Sequence, residues 1–178
     1  MLYMVGGAPR AGKSILGQQV AARLRVGWVA TDVLQSLLKE QGAASWDATP
    51  EAIAATADSF LPHLERFIWG ISSLADDYLI EGVHFLPKQV AALSSQYPVR
   101  SVFLGRSRLD LAQLDEFPGR SRGYASLPLE IRRQIVADVP PWSDFVAQQA
   151  GAFGCRYVDT SDDFVSRMME AELFLTAR

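Results

Sequence analysis

The sequence predicts an α/β fold, a parallel sheet covered by helices on both faces. Short apolar runs of strand length recur along the chain, and between them apolar residues fall at the three- and four-residue spacing of helices. With 178 residues, 49% of them apolar and 21% charged, there is material for one packed core, and general disorder is not expected.

The elements follow in order. Leu2 to Val5 is an apolar run that stops at Gly6-Gly7, short enough for a buried strand. Leu16, Val20 and Leu24 then recur every four residues, which predicts a helix from about Lys13 to Arg25. A second strand runs from about Gly27 to Thr31, with Asp32 at its end. Val33, Leu34, Leu37 and Leu38 mark a short helix that Gly42 is suited to end. The next strand-like run is Tyr78-Leu79-Ile80, about 45 residues on, farther than a simple crossover needs. That interval holds Ile53, Ala57, Phe60, Leu61, Leu64, Phe67, Ile68 and Ile71 at helical spacing. Thr49-Pro50-Glu51 supplies a cap, a first-turn proline and an acid near the positive helix end. Pro62 lies inside the pattern and is expected to bend or break the helix. Residues 43–76 therefore read as a helical insertion within one domain spanning 1–178.

Val99 to Leu104 gives a fourth strand. An arginine-rich stretch follows, with Pro118-Gly119 and Gly123 as loop signals. Leu127 to about Val139 reads as a helix, Pro140-Pro141 as its interruption, and Trp142 to Ala150 as its resumption. Arg156-Tyr157-Val158 is a fifth strand, and Asp162 to about Thr176 a last helix.

A net charge of −3 is not that of a chain built to coat nucleic acid or an anionic membrane. One cysteine, Cys155, excludes an internal disulfide framework and fits a reducing cytoplasm. With only two histidines beside it, a Cys/His zinc site is not expected. No apolar run approaches the ~20 residues of a membrane span, and no basic stretch precedes the first apolar run, so no secretory signal is expected. The bases are unevenly placed. Arg100, Arg106, Arg108, Arg120, Arg122, Arg132 and Arg133 face only four acids in their window, which is locally +3 while the rest of the chain is −6. Arginine suits bidentate phosphate contacts, and a local cluster on an acidic chain suggests a small phosphorylated ligand.

Gly7-Ala8-Pro9-Arg10-Ala11-Gly12-Lys13-Ser14 matches G-x-x-x-x-G-K-[ST] in full, after an apolar strand and before a periodic helix. The glycines allow backbone angles and close approaches that a side chain would block. Successive N–H groups then cradle phosphate oxygens, helped by the positive end of the following helix. Lys13 can then reach the β and γ phosphates of a nucleotide, and the Ser14 hydroxyl can ligate Mg²⁺. Ile15, next on that helix, completes the stretch expected to touch nucleotide. A glycine-rich turn that merely joins strand to helix is the bland alternative.

This loop, Asp32 in Ala30-Thr31-Asp32 and the stretch Ile80-Glu81-Gly82-Val83-His84 together resemble small P-loop kinases of the adenylate-kinase-like group. The Glu-Gly-Val-His stretch is similar to the 2-phosphoglycerate-kinase-like and zeta-toxin-like branches. The resemblance implies a three-layer α/β/α P-loop NTPase fold, a five-stranded parallel sheet of order 2-3-1-4-5, an ATP/Mg²⁺ site, and an arginine-rich lid after the fourth strand, here 106–126.

On that reading Asp32 orients the acceptor hydroxyl or accepts its proton, at the carboxyl edge where ligands of open α/β sheets bind. The alternative is an N-cap for a helix beginning at Val33. Glu81 stands where a Walker B acid would lie and is expected to reach Mg²⁺ through water, being one methylene longer than the usual Asp; otherwise it is a strand-end charge in solvent. Gly82 would admit a ligand close to the backbone. His84 is placed to contact an acceptor or to serve only structure. Arg120 and Arg122 are expected to neutralise charge on the transferring group, and Arg106 and Arg108 to bind phosphate or stack on adenine. Arg132 and Arg133 point about 100° apart, so at most one faces the site. Thr160-Ser161-Asp162 borders the nucleotide base or caps the last helix. Trp46 and Trp69 are candidate lining for an acceptor pocket.

The function these residues predict is an ATP- and Mg²⁺-dependent small-molecule kinase that transfers the γ-phosphoryl group to a hydroxyl or phosphate acceptor, without nucleic-acid or membrane partners. The alternative is a regulatory or switch NTPase with no small-molecule acceptor. Against a GTPase switch, no N/T-K-x-D motif occurs. Sulfuryl transfer is a third reading, opposed by the complete Gly-Lys-Ser ending.

Overall fold

The computed structural model describes residues 1–38, 47–74, 76–116 and 124–177. Its elements are β1 (Leu2–Gly7), α1 (Lys13–Leu24), β2 (Gly27–Ala30), α2 (Thr31–Leu38), α3 (Pro50–Ser72), β3 (Tyr78–Glu81), α4 (Pro87–Ser94), β4 (Val99–Gly105), α5 (Leu111–Glu116), α6 (Leu129–Ala152), β5 (Arg156–Asp159) and α7 (Phe164–Thr176), with one 3-10 turn at Tyr124–Ser126. The five strands pair in parallel in the order β2-β3-β1-β4-β5.

Strand side chains alternate between two faces, and each face has its own core. Leu2, Met4, Ile80 and Phe103 pack with Phe60 and Leu64 of α3, Val90 and Leu93 of α4 and Val146 of α6. Val5, Leu79, Val102, Leu104 and Val158 pack on the opposite side with Leu16 and Val20 of α1 and Met168 and Leu175 of α7. Burial on both faces explains why the central strands β1 and β3 read as apolar runs, whereas the edge strand β2 is exposed to half-buried along its length. Beside these two, Leu109, Leu114, Tyr124 and Val139 form a small third cluster between α5 and α6.

Two predicted breaks do not occur. α3 is one helix across Pro62, and α6 runs through Pro140 and Pro141. A helix-interior proline costs about 3 kcal/mol. The buried stripe Ile53, Ala57, Phe60, Leu64 and Ile68 continues on both sides of Pro62, and each large apolar side chain so buried contributes about 1.5–3 kcal/mol. Val139, Trp142, Val146 and Ala150 do the same for α6. Thr49 caps α3, its hydroxyl accepting from the Ala52 N–H at 3.3 Å. At the other end of β2 the strand stops at Ala30 and α2 begins at once with Thr31, so Asp32 lies inside the first helical turn and is not its N-cap. Helices α4 and α5 are additions to the predicted set. Gly42 and Trp46 lie outside the described residues, as do 117–123 with Arg120 and Arg122. Among the described residues no helix is long and apolar enough to cross a membrane.

Candidate active site at the carboxyl edge of the sheet

The loop from Gly7 to Ser14 joins β1 to α1 at the carboxyl edge of the sheet. Gly7 has φ 123°, and a Cβ there would meet the Leu104 carbonyl oxygen at 1.9 Å, so only glycine passes beside β4. Ala8 N–H donates to the same carbonyl at 2.9 Å. Arg10 (φ 63°) and Gly12 (φ 97°) are left-handed, with Ala11 between them at negative φ. Such an alternation of signs turns successive N–H groups toward one side and makes a backbone concavity for an anion.

Lys13, the first residue of α1, is buried, and its ammonium donates to the Ala8 carbonyl at 2.6 Å. Burial pushes its pKa down to about 8; Glu81 and Asp32 act against that shift, and Arg10 adds to it. Ser14 Oγ donates to Glu81 Oε1 at 2.9 Å. Glu81, the last residue of β3, is 3% exposed, which excludes the reading of a strand-end charge in solvent. A hydroxyl and a carboxylate so paired are hard oxygen donors of the kind Mg²⁺ prefers. Among the described residues no cluster of three His, Cys, Asp or Glu is placed to hold a metal. Any ion here would therefore rely on phosphate oxygens and water as well, as Mg²⁺ does. Ile15 is partly exposed beside the loop.

Asp32 stands across the edge on α2, its side chain 78% exposed. His84 Nδ1 lies 3.6 Å from Asp32 Oδ1 and 2.8 Å from the hydroxyl of buried Thr31, and its ring packs against Phe60 of α3 at 5.3 Å. Gly82 permits this closeness: a Cβ there would meet Thr31 Oγ1 at 1.7 Å.

On the other side, the Arg106 backbone N–H donates to Ser143 Oγ at 2.8 Å, and its half-buried guanidinium has its pKa lowered by burial. Arg108 pairs with Asp162 on the surface. Arg132 donates to Asp115 at 2.8 Å, and Tyr124 OH donates to the same carboxylate oxygen at 3.1 Å. Arg10 lies 4.8 Å over the Tyr124 ring. Of the Thr160-Ser161-Asp162 stretch, none caps α7: that is Asp163, accepting from the Ser166 N–H at 3.2 Å. Burial alone would raise the Asp159 pKa, but hydrogen bonds from Ser107 and Ser161 outweigh it and hold the carboxyl below its ordinary range.

The structure thus brings Lys13, Ser14, Glu81 and Asp32 to one edge. Thr31, Asp115 and Tyr124 were not singled out in the sequence. Tyr124 meets Arg10 across more than a hundred residues, a pairing with no local signal.

Among solved structures, the chain is similar to a candidate kinase from Chloroflexus aurantiacus, with a TM-score of 0.56 and 15% identity over 97% of this chain and 92% of that one. A sugar kinase from Janibacter sp. gives 0.54 and 14%, covering 98% and 92%. Shikimate kinase from Acinetobacter baumannii, solved with shikimate, gives 0.50 and 14%, covering 99% and 95%. No protein-family model and no curated protein matches the sequence. At such identities the likeness is one of fold. The chain has the α/β fold of P-loop kinases, with an all-parallel five-stranded sheet in the order β2-β3-β1-β4-β5.

Proposed function

We propose that this protein is a cytoplasmic small-molecule kinase that uses ATP and Mg²⁺ to phosphorylate a hydroxyl or phosphate acceptor. Within the P-loop kinases we place it with the 2-phosphoglycerate-kinase-like and zeta-toxin-like branch, on the Glu81-Gly82-Val83-His84 stretch. The observation that carries the reading is the meeting of three groups at one sheet edge: buried Lys13, the Ser14–Glu81 pair and exposed Asp32.

The loop from Gly7 to Ile15 would hold the triphosphate through its N–H groups, with Arg106 toward the base. Lys13 keeps its charge below a pH of about 8 and so offsets negative charge on the transferring group. Ser14 would hold Mg²⁺ directly and Glu81 through water; the ion would supply further charge neutralisation. Asp32 faces solvent and is free to approach an acceptor. There it orients the hydroxyl for in-line attack and takes its proton, a task in which position matters more than basicity. Residues 43–76 would bind the acceptor, and 106–126 would form the lid that brings Arg120 and Arg122 to the phosphates.

The test is a panel of sugars, sugar phosphates, nucleoside monophosphates, hydroxy acids and antibiotic alcohols, each with ATP and Mg²⁺, scored by mass spectrometry for a phosphorylated product. Tight binding of nucleotide with no product from any acceptor would favour the switch reading instead.

A further inference from the structure

The loop's anion-binding shape depends on the direction of one peptide plane. The 11–12 peptide is trans, since the described chain has no cis bond. In a trans peptide the carbonyl and the N–H point opposite ways. Turning the plane over would reverse ψ of Ala11 and φ of Gly12. Glycine accepts either sign of φ at little cost, so this is the plane in the loop most free to flip. A flip would replace an inward N–H, a phosphate donor, by an inward carbonyl, which repels phosphate.

One side chain opposes the flip. Thr160 follows β5 and is 1% exposed. Its hydroxyl donates to the Ala11 carbonyl at 3.1 Å and to the Gly105 carbonyl at 3.0 Å, one proton shared between two acceptors. Its own N–H donates to Gly105 O at 2.8 Å, which fixes Thr160 to the end of β4. The back of the loop is also closed: a Cβ on Gly12 would lie 3.0 Å from the Phe164 ring. The Ala11 carbonyl is therefore held toward β5, and the Gly12 N–H is carried on the opposite side, away from Thr160. Capping of α7 does not account for Thr160, since Asp163 does that.

We propose that Thr160 is a positioning residue for phosphate binding: its hydroxyl holds the Ala11–Gly12 peptide in the orientation that presents the Gly12 N–H to a nucleotide phosphate. The inference rests on the reading of the loop as a nucleotide site. Thr160 touches no phosphate itself and acts through the backbone.

The test compares the full-length parent with Thr160→Val, which keeps the shape and removes the hydroxyl, and Thr160→Ser, which keeps the hydroxyl. Dissociation constants for Mg·ADP and Mg·ATP are read by calorimetry, and thermal unfolding is read beside them. The loss of an oriented donor to a charged phosphate corresponds to about tenfold in affinity. Thr160→Val is expected to bind both nucleotides about tenfold more weakly, and Thr160→Ser to stay within about threefold of the parent. A Thr160→Val that unfolds earlier but binds as the parent does would assign Thr160 to structure alone and overturn the inference. A parent that binds neither nucleotide would remove the nucleotide reading and the inference with it. If Thr160→Val does not fold, Thr160→Ala carries the same comparison. In the parent, the Gly12 amide should be among the backbone resonances most displaced by Mg·ADP; an unmoved Gly12 amide would equally overturn the proposal.

Discussion

The two halves of the carboxyl edge are built differently. Around the loop, each polar group is already engaged by the protein: Lys13 on Ala8, Ser14 on Glu81, Thr160 on Ala11 and Gly105. Across the edge, Asp32 stands 78% exposed with His84 at 3.6 Å. The first half is set in advance, and its neighbours fix where charge will sit. The second leaves its carboxylate open to whatever approaches. On the proposed reading the prearranged half would take the phosphoryl donor, which is common to many kinases, and the open half the acceptor, which differs among them.

If that contrast holds, substitutions on the two sides should separate binding from turnover. The largest effect is expected from Lys13→Ala: transfer falls by about three orders of magnitude. Because the ammonium is buried, thermal unfolding should show a fold at least as stable as the parent's. Asp32→Asn should lower turnover about a hundredfold while calorimetry shows nucleotide affinity little changed; a collapse of affinity would move Asp32 to the nucleotide half. Glu81→Gln should raise the Mg²⁺ concentration for half-maximal turnover about tenfold, and chelation of the metal should stop turnover in the parent.

The smallest effect is a matter of pH. The Asp159 carboxyl is held below its ordinary 3.8 in the folded chain. Its contribution to stability is therefore present above that ordinary value and lost as pH falls through the lower folded one. Asp159→Asn should melt a few degrees below the parent at pH 7, and thermal unfolding should show the gap closing as pH falls below the ordinary carboxyl range. A gap that persists in acid would mean that shape, not charge, sets the contribution of Asp159.

The strands and the Gly7–Ser14 loop were legible because their signals are local: short runs rich in apolar residues, and glycines at fixed spacing before a helix. The resemblance carried the sheet order, which the parallel pairing bears out. Pro140 and Pro141, and Pro62 in so far as a break was expected of it, misled because proline's cost is local, whereas the packing that outweighs it comes from other elements. Asp32 was read as ending a strand, because the immediate passage from Ala30 into a helix leaves no turn residue between them. Glu81 could be placed at its strand end, but its burial depends on neighbours supplied by α1. Thr160 was noticed as part of a cap-like triplet, yet its partner Ala11 lies 149 residues away. Nothing in the spacing of residues announces such a contact.

The near-contact between position 82 and Thr31 ties the two halves together at one point. There is no room for even a methyl group there, so any side chain at 82, the residue after Glu81, would press on Thr31, the residue before Asp32. On the proposed reading, one substitution at 82 would disturb both acids at once.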